Sequence, residues 1–96
     1  MLSFLPKAPH DITEELRAKF KARRKSLNYT QDELAIRSGV SLGSLKRFES
    51  SGKISLESLL KLALVLECLE DFSGVCEVEE ERFESINDVI EKSRKY

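Results

Sequence analysis

Six residues from Thr30 to Gly52 punctuate the chain so closely that few folds remain open to it. Thr30 is followed three positions later by Glu33, the T-x-x-E arrangement in which a hydroxyl and a carboxylate satisfy each other's backbone N–H at a helix start. Gly39 stands where a tight reversal needs a positive φ, and Ser41, two residues on, offers a hydroxyl to cap a second helix. Ser51 and Gly52 stop that helix in turn. The expectation is a helix over about 31–38 and another over about 42–50, with only some three residues between them. Neither is long enough to be stable alone, so both must be held by packing.

The flanks supply the partners. Residues 1–10, with Pro6 and Pro9, read as an irregular arm, and Asp11 or Thr13 is placed to cap a first helix running to about Leu27. Ile12, Leu16, Phe20 and Leu27 fall on one arc of that helix, with Arg17, Lys21 and Lys25 on the other side. Asn28 suits a left-handed terminator. After Ser55, a further cap, comes Leu59, Leu60, Leu62, Ala63, Leu64, Val65, Leu66, apolar nearly all round, so more than one face of that helix needs cover. A fifth short helix is expected near residues 66–72. Beyond Gly74 the run Glu77, Val78, Glu79, Glu80, Glu81 changes the chain's character, with Phe83, Ile86, Val89 and Ile90 spaced by three, three and one. The pattern predicts an all-α, compact bundle of about five short helices: an arm over 1–10, one domain over 11–73 and an acidic tail over 74–96.

Charge sharpens that division. The whole chain carries a net charge of −1, which argues against a polyanion partner. Residues 1–66, however, hold 12 Lys/Arg against 7 Asp/Glu, a net +5, and residues 67–96 hold 4 against 10, a net −6. A basic module is joined to an acidic tail. Cys68 and Cys76 lack a second Cys/His pair, and His10 is remote, so reduced thiols are expected, with no metal site and no cofactor. Without a phosphate-cradling glycine loop or a grouped set of titratable residues, the chain does not read as an enzyme. Met1 to Leu5 is too short for a leader, and the apolar stretch after Ser58 is broken by Lys61 and Glu67, so a cytoplasmic location away from membranes is expected.

Two short capped helices joined through a glycine turn are the sequence form of a helix-turn-helix. With Leu45 set as the inward direction and about 100° per residue, Phe48 and Glu49 lie close to it, while Gly43, Ser44, Lys46 and Arg47 point away and Leu42 sits at the boundary. That outward set suits a DNA groove. It has no bulk at Gly43 and a small hydroxyl at Ser44, and Lys46 and Arg47 are long donors able to reach guanine O6 and N7. Leu42 suits a thymine methyl.

These same residues carry a family resemblance. Tyr29-Thr30-Gln31-Asp32-Glu33-Leu34-Ala35, then Ser38-Gly39-Val40-Ser41, then Leu45-Lys46-Arg47-Phe48-Glu49 resemble the Cro/phage-repressor (XRE) helix-turn-helix regulators, with a lambda-repressor-like fold, over about residues 12–70. The resemblance implies a double-stranded DNA partner and a role in transcription, as a repressor, and because one such helix reads only a few base pairs a homodimer on two half-sites is expected. It implies that Gln31 and Ser41 approach phosphates, that Leu42, Gly43, Ser44, Lys46 and Arg47 read bases, and that Lys53 lies in a loop near the DNA backbone. It also implies a structural ion pair between Glu49 and an arginine of the first helix. By spacing that is Arg24, although Arg23 is also near the inner arc. Two residues, Ser50 and Ser51, separate Glu49 from Gly52 where the family usually has one. More narrowly, residues 43–49 and 52–59, with the end Ser85-Ile86-Asn87-Asp88-Val89-Ile90, are similar to HipB-like antitoxins. That implies an alternative function: an interaction protein whose acidic tail binds and neutralises a HipA-like kinase toxin.

Overall fold

In the computed structural model, which describes residues 7–78, the chain is built from α1 (Pro9–Ser26), α2 (Gln31–Ser38), α3 (Leu42–Ser51), α4 (Leu56–Val65) and a one-turn 3-10 helix, Leu69–Phe72. All the regular structure among the described residues is helical. The acidic run from Glu79 onward, with its apolar residues, lies outside the described residues, as do residues 1–6 of the expected arm.

The cap chemistry accounts for the boundaries. Thr30 Oγ1 accepts from the Glu33 N–H at 3.1 Å, and Glu33 Oε1 accepts from the Thr30 N–H at 3.1 Å, so α2 opens on a complete capping box. Those bonds to Thr30 hold the Glu33 carboxyl below the usual carboxylate range. Ser41 and Ser55 cap α3 and α4 by accepting from the N–H groups of Ser44 and Ser58, each at 3.1 Å. Gly39 at φ 75° and Gly52 at φ 79° close α2 and α3 in the left-handed region.

α1 begins two residues before the expected cap. Pro9 occupies its first turn, where the missing N–H costs nothing, and Asp11 Oδ2 accepts from the Ala8 N–H at 2.9 Å from inside the helix. Pro9 and His10 therefore belong to α1 and not to an arm. At about 27 Å against about 15 Å for α3 or α4, α1 is longer than the helices it joins. That overhang accounts for Ile12, which was expected on the core face and is 41% exposed.

The core comprises Phe20 of α1, Leu34 and Ala35 of α2, Val40 of the turn, Leu45 and Phe48 of α3, and Leu59, Leu62, Ala63 and Leu66 of α4 and its end. Phe20 meets Phe48 edge to face at 5.5 Å between ring centroids, and Phe72 closes over Phe20 at 6.2 Å. α1 packs on α3, α2 on both α3 and α4, and α4 on the 3-10 helix. The expected fifth helix shrinks to that single turn because the chain reverses first: Glu67 takes φ 61° immediately after α4. Nor is α4 covered all round, since Leu56 and Leu64 remain 68% and 64% exposed.

Three arginines of α1 fasten this arrangement by donating to carbonyls at chain reversals. Arg23 Nε reaches the Leu66 carbonyl at 2.6 Å and its Nη2 the Glu67 carbonyl at 3.1 Å, at the C-terminus of α4. Arg17 Nη1 reaches the Glu49 carbonyl at 3.1 Å, near the end of α3, although its place on the helix wheel put it on the solvated back. Arg24 Nη1 reaches the Tyr29 carbonyl at 2.9 Å, between α1 and α2. Orphan carbonyls at helix ends need donors, and cations are favoured there.

Candidate nucleic-acid interface

α3 divides cleanly into two faces. Leu45, Phe48 and Glu49 are 1%, 2% and 5% exposed, and Gly43, Ser44, Lys46 and Arg47 all stand in solvent on the other side. Leu42 is half-buried, packed at the edge of the core. Neither the Lys46 nor the Arg47 side chain has a hydrogen bond or ion-pair partner among the described residues, so both cations are available to a ligand. Ser44 differs, because its hydroxyl accepts from the Ser41 hydroxyl at 2.8 Å. The two serines at the start of α3 thus form a linked pair of hydroxyls.

The buried side is anchored by Glu49. Arg24 grips its carboxylate with two bonds, Nε to Oε2 at 2.7 Å and Nη2 to Oε1 at 2.9 Å, with the two side chains only 9% and 4% exposed. Arg23, the other arginine near the inner arc, is taken by the end of α4. Gln31, at the start of α2, adds a third bond through Nε2 to Glu49 Oε1 at 3.0 Å. Burial alone would raise the Glu49 carboxyl. The hydrogen bonds from Arg24 and Gln31, with the charges of Arg24 and Lys21, outweigh it and hold the group below the usual carboxylate range. The geometry therefore joins α1, α2 and α3 at a single carboxylate and fixes the angle at which α3 leaves the core.

Lys53 comes to the exposed side from the loop after α3. It lines a polar notch of about 290 Å³ with Ser44 and Arg47 from α3, and with Ile54, Ser55 and Ser58 from the start of α4. Two cations beside a helix N-terminus suit an anionic oxygen such as a DNA phosphate. Sequence reasoning singled out Lys53 but missed Ser58 and the α4 terminus; the cap at Ser55, two residues after a lysine, was the available signal. Lys46 lies outside this notch. The additional residue before Gly52 does not loosen the loop, because α3 continues through Ser51 and the Gly52 N–H bonds the Phe48 carbonyl at 2.8 Å.

A helix-turn-helix family model, HTH_3, matches residues 20–72, more than half of the chain. The chain belongs to this family. The matched span runs from the middle of α1 through the 3-10 helix and contains the capped pair α2–α3 whole. This XRE-type family is a DNA-binding family of transcriptional regulators and not a family of enzymes. No curated protein and no solved structure gives a significant match to the chain. Among the described residues, no helix of this helix-turn-helix protein is long and apolar enough to cross a membrane.

Proposed function

We propose that this helix-turn-helix protein is a sequence-specific repressor that binds double-stranded DNA as a homodimer, with residues 41–49 in the major groove. The observation that carries the proposal is the contrast across α3: one face wholly buried, the other presenting Gly43, Ser44, Lys46 and Arg47 without a core contact. A helix about 10–12 Å across with its side chains fits a groove about 12 Å wide. Arg47 and Lys46 read base edges, Ser44 adds a hydroxyl contact, and Leu42 borders a thymine methyl. Ser41, Gln31 and Lys53 position the module on phosphates without specifying sequence. Gln31 does so from the α2 terminus while its amide nitrogen holds Glu49.

One such helix reads few base pairs, which favours two half-sites and two copies. The stripe Leu56, Leu60 and Leu64 along α4, exposed at both ends and half-buried in the middle, supports an isologous contact between copies. Selection of bound sequences from random duplex DNA tests the reading. Enrichment of paired half-sites about one helical turn apart is expected. Recovery of no preferred sequence overturns it.

The pattern of residues 43–59 supports a second reading, a HipB-like antitoxin that neutralises a HipA-like kinase toxin and represses its own operon. The net charge of −6 over residues 67–96 suits a basic partner surface. Unchanged kinase activity of a HipA-like protein encoded beside this gene, when the two are mixed, removes that reading.

A further inference from the structure

A groove of about 670 Å³ opens between α1 and the segment after α4, and none of the residues assigned to DNA lines it. Its floor is apolar: Leu16 and Phe20 from α1 face Phe72 and Val75 from the segment after α4. Lys19 and Arg23 stand at its edge, and Cys68 lines it with a half-buried thiol. Apolar surface of this kind is commonly a binding surface in a small monomer. We propose that the groove is the docking site of the chain's own segment 83–91, held in cis.

Three observations select that occupant over others. The described chain ends at the groove: Val75 is part of its lining, and Val75 and Val78 are 63% and 52% exposed, an apolar path leading to residue 79. From Val78 to Phe83 the chain spans at most about 17 Å, a length that allows Phe83 to fold back onto the groove that Val75 lines. The segment's pattern also matches the site. Read at helical spacing, Phe83, Ile86, Val89 and Ile90 share an arc of about 120°, and Glu80, Glu81, Glu84, Asp88 and Glu91 lie together on the opposite side. Residues 79–91 carry six acidic side chains against one basic, next to a lining that holds two cations, Lys19 and Arg23, against the single carboxylate of Asp71. The apolar arc covers the floor, and the charge favours that face of α1 over any acidic surface. Intramolecular attachment raises the effective concentration of such a segment to about the millimolar range, so a weak contact suffices.

Cys68 is a built-in reporter, because an occupied groove shields its thiol while Cys76, exposed and outside the lining, reacts freely. The full-length protein is treated with a thiol-alkylating reagent, and peptide mass spectrometry follows the two cysteines separately. A groove occupied about 80% of the time slows alkylation of Cys68 about fivefold. Full-length Phe83→Asp/Ile86→Asp, and independently Val89→Asp/Ile90→Asp, are expected to restore that factor at Cys68 and leave Cys76 unchanged. Equal Cys68 rates in the wild type and both variants overturn the proposal. Protection that deepens with protein concentration overturns it as well, because the occupant is then a second copy.

Discussion

Removing the Glu49 carboxylate is the most informative single change, because one group joins three helices and the loss is calculable. Glu49→Ala leaves the Arg24 guanidinium, 9% exposed in its side chain, without its carboxylate, and deprives Gln31 of its acceptor. Breaking a buried pair from one side costs about 3–5 kcal/mol. A domain the size of the 72 described residues has a total stability of about 4–11 kcal/mol. The variant is therefore expected to lose at least a quarter of its stability, and its Tm is expected to fall by about 12 °C or more. Replacing both partners by apolar side chains of similar size, Arg24→Met with Glu49→Leu, removes the stranded charge and lies between neutral and stabilising by the same reasoning, less about 1 kcal/mol for the Tyr29 carbonyl that Arg24 also serves. Urea titrations followed by circular dichroism measure all three proteins. The pH dependence supplies an independent check of sign. The folded Glu49 carboxyl lies below its ordinary value, so its contribution is fully present above the ordinary carboxylate range and is lost as pH falls through the folded value. Glu14, Glu15 and Glu33 are lowered too, but they are common to the wild type and the double variant, so the difference between those two isolates Glu49. A Glu49→Ala protein within about 1 kcal/mol of the wild type, or a double variant as unstable as the single, refutes the reasoning.

Gly52→Ala is expected to destabilise by about 1–2 kcal/mol from its positive φ alone, and further because the added Cβ would lie 2.2 Å from Thr13 Cγ2. Adding Thr13→Ser deletes that methyl and should recover the contact part of the loss but not the backbone part, as thermal melts will show. Arg47→Ala should relax sequence preference at one position by about 1–3 kcal/mol in binding titrations against operator variants. Lys53→Ala should instead weaken all sequences alike and lower the salt slope by about one. Leu56→Asp with Leu64→Asp should yield a folded monomer in sedimentation; an unchanged dimer would place the contact between copies elsewhere.

The capped elements were the most legible part of the chain, since Thr30, Gly39, Ser41 and Ser55 act on backbone groups within three or four residues of themselves. α2 has the bounds its caps predict, and α3 differs by one residue. The helix wheel also separated the two faces of α3, because Leu45 and Phe48 have nowhere to go but inward. Long side chains were less legible. Arg17 looked solvated by angle, yet a guanidinium on a three-carbon stem bends back to the α3 carbonyl; for Glu49, spacing pointed to Arg24, the partner observed, with Arg23 close to the same arc. Gln31 was read from the resemblance as a phosphate contact, whereas the bond to Glu49 depends on how α1 and α2 meet, which no local pattern contains. The notch around Lys53 was hidden for the same reason: Ser58 joins it only through the approach of α4 to α3. The start of α1 was misplaced because Asp11 was read as a cap from outside, and it caps from within.

The harness of α1 arginines has an evolutionary consequence. Since Arg17, Arg23 and Arg24 secure the ends of α3, α4 and the first reversal, and Glu49 secures α3 from behind, the exposed residues 43, 46 and 47 make no side-chain hydrogen bond or ion pair to the described fold. Under the proposed function, specificity and foldability are assigned to different residues of one ten-residue helix. If α3 reads DNA as proposed, a lineage of such proteins can drift through new operators by changing these three residues without descending into unstable intermediates.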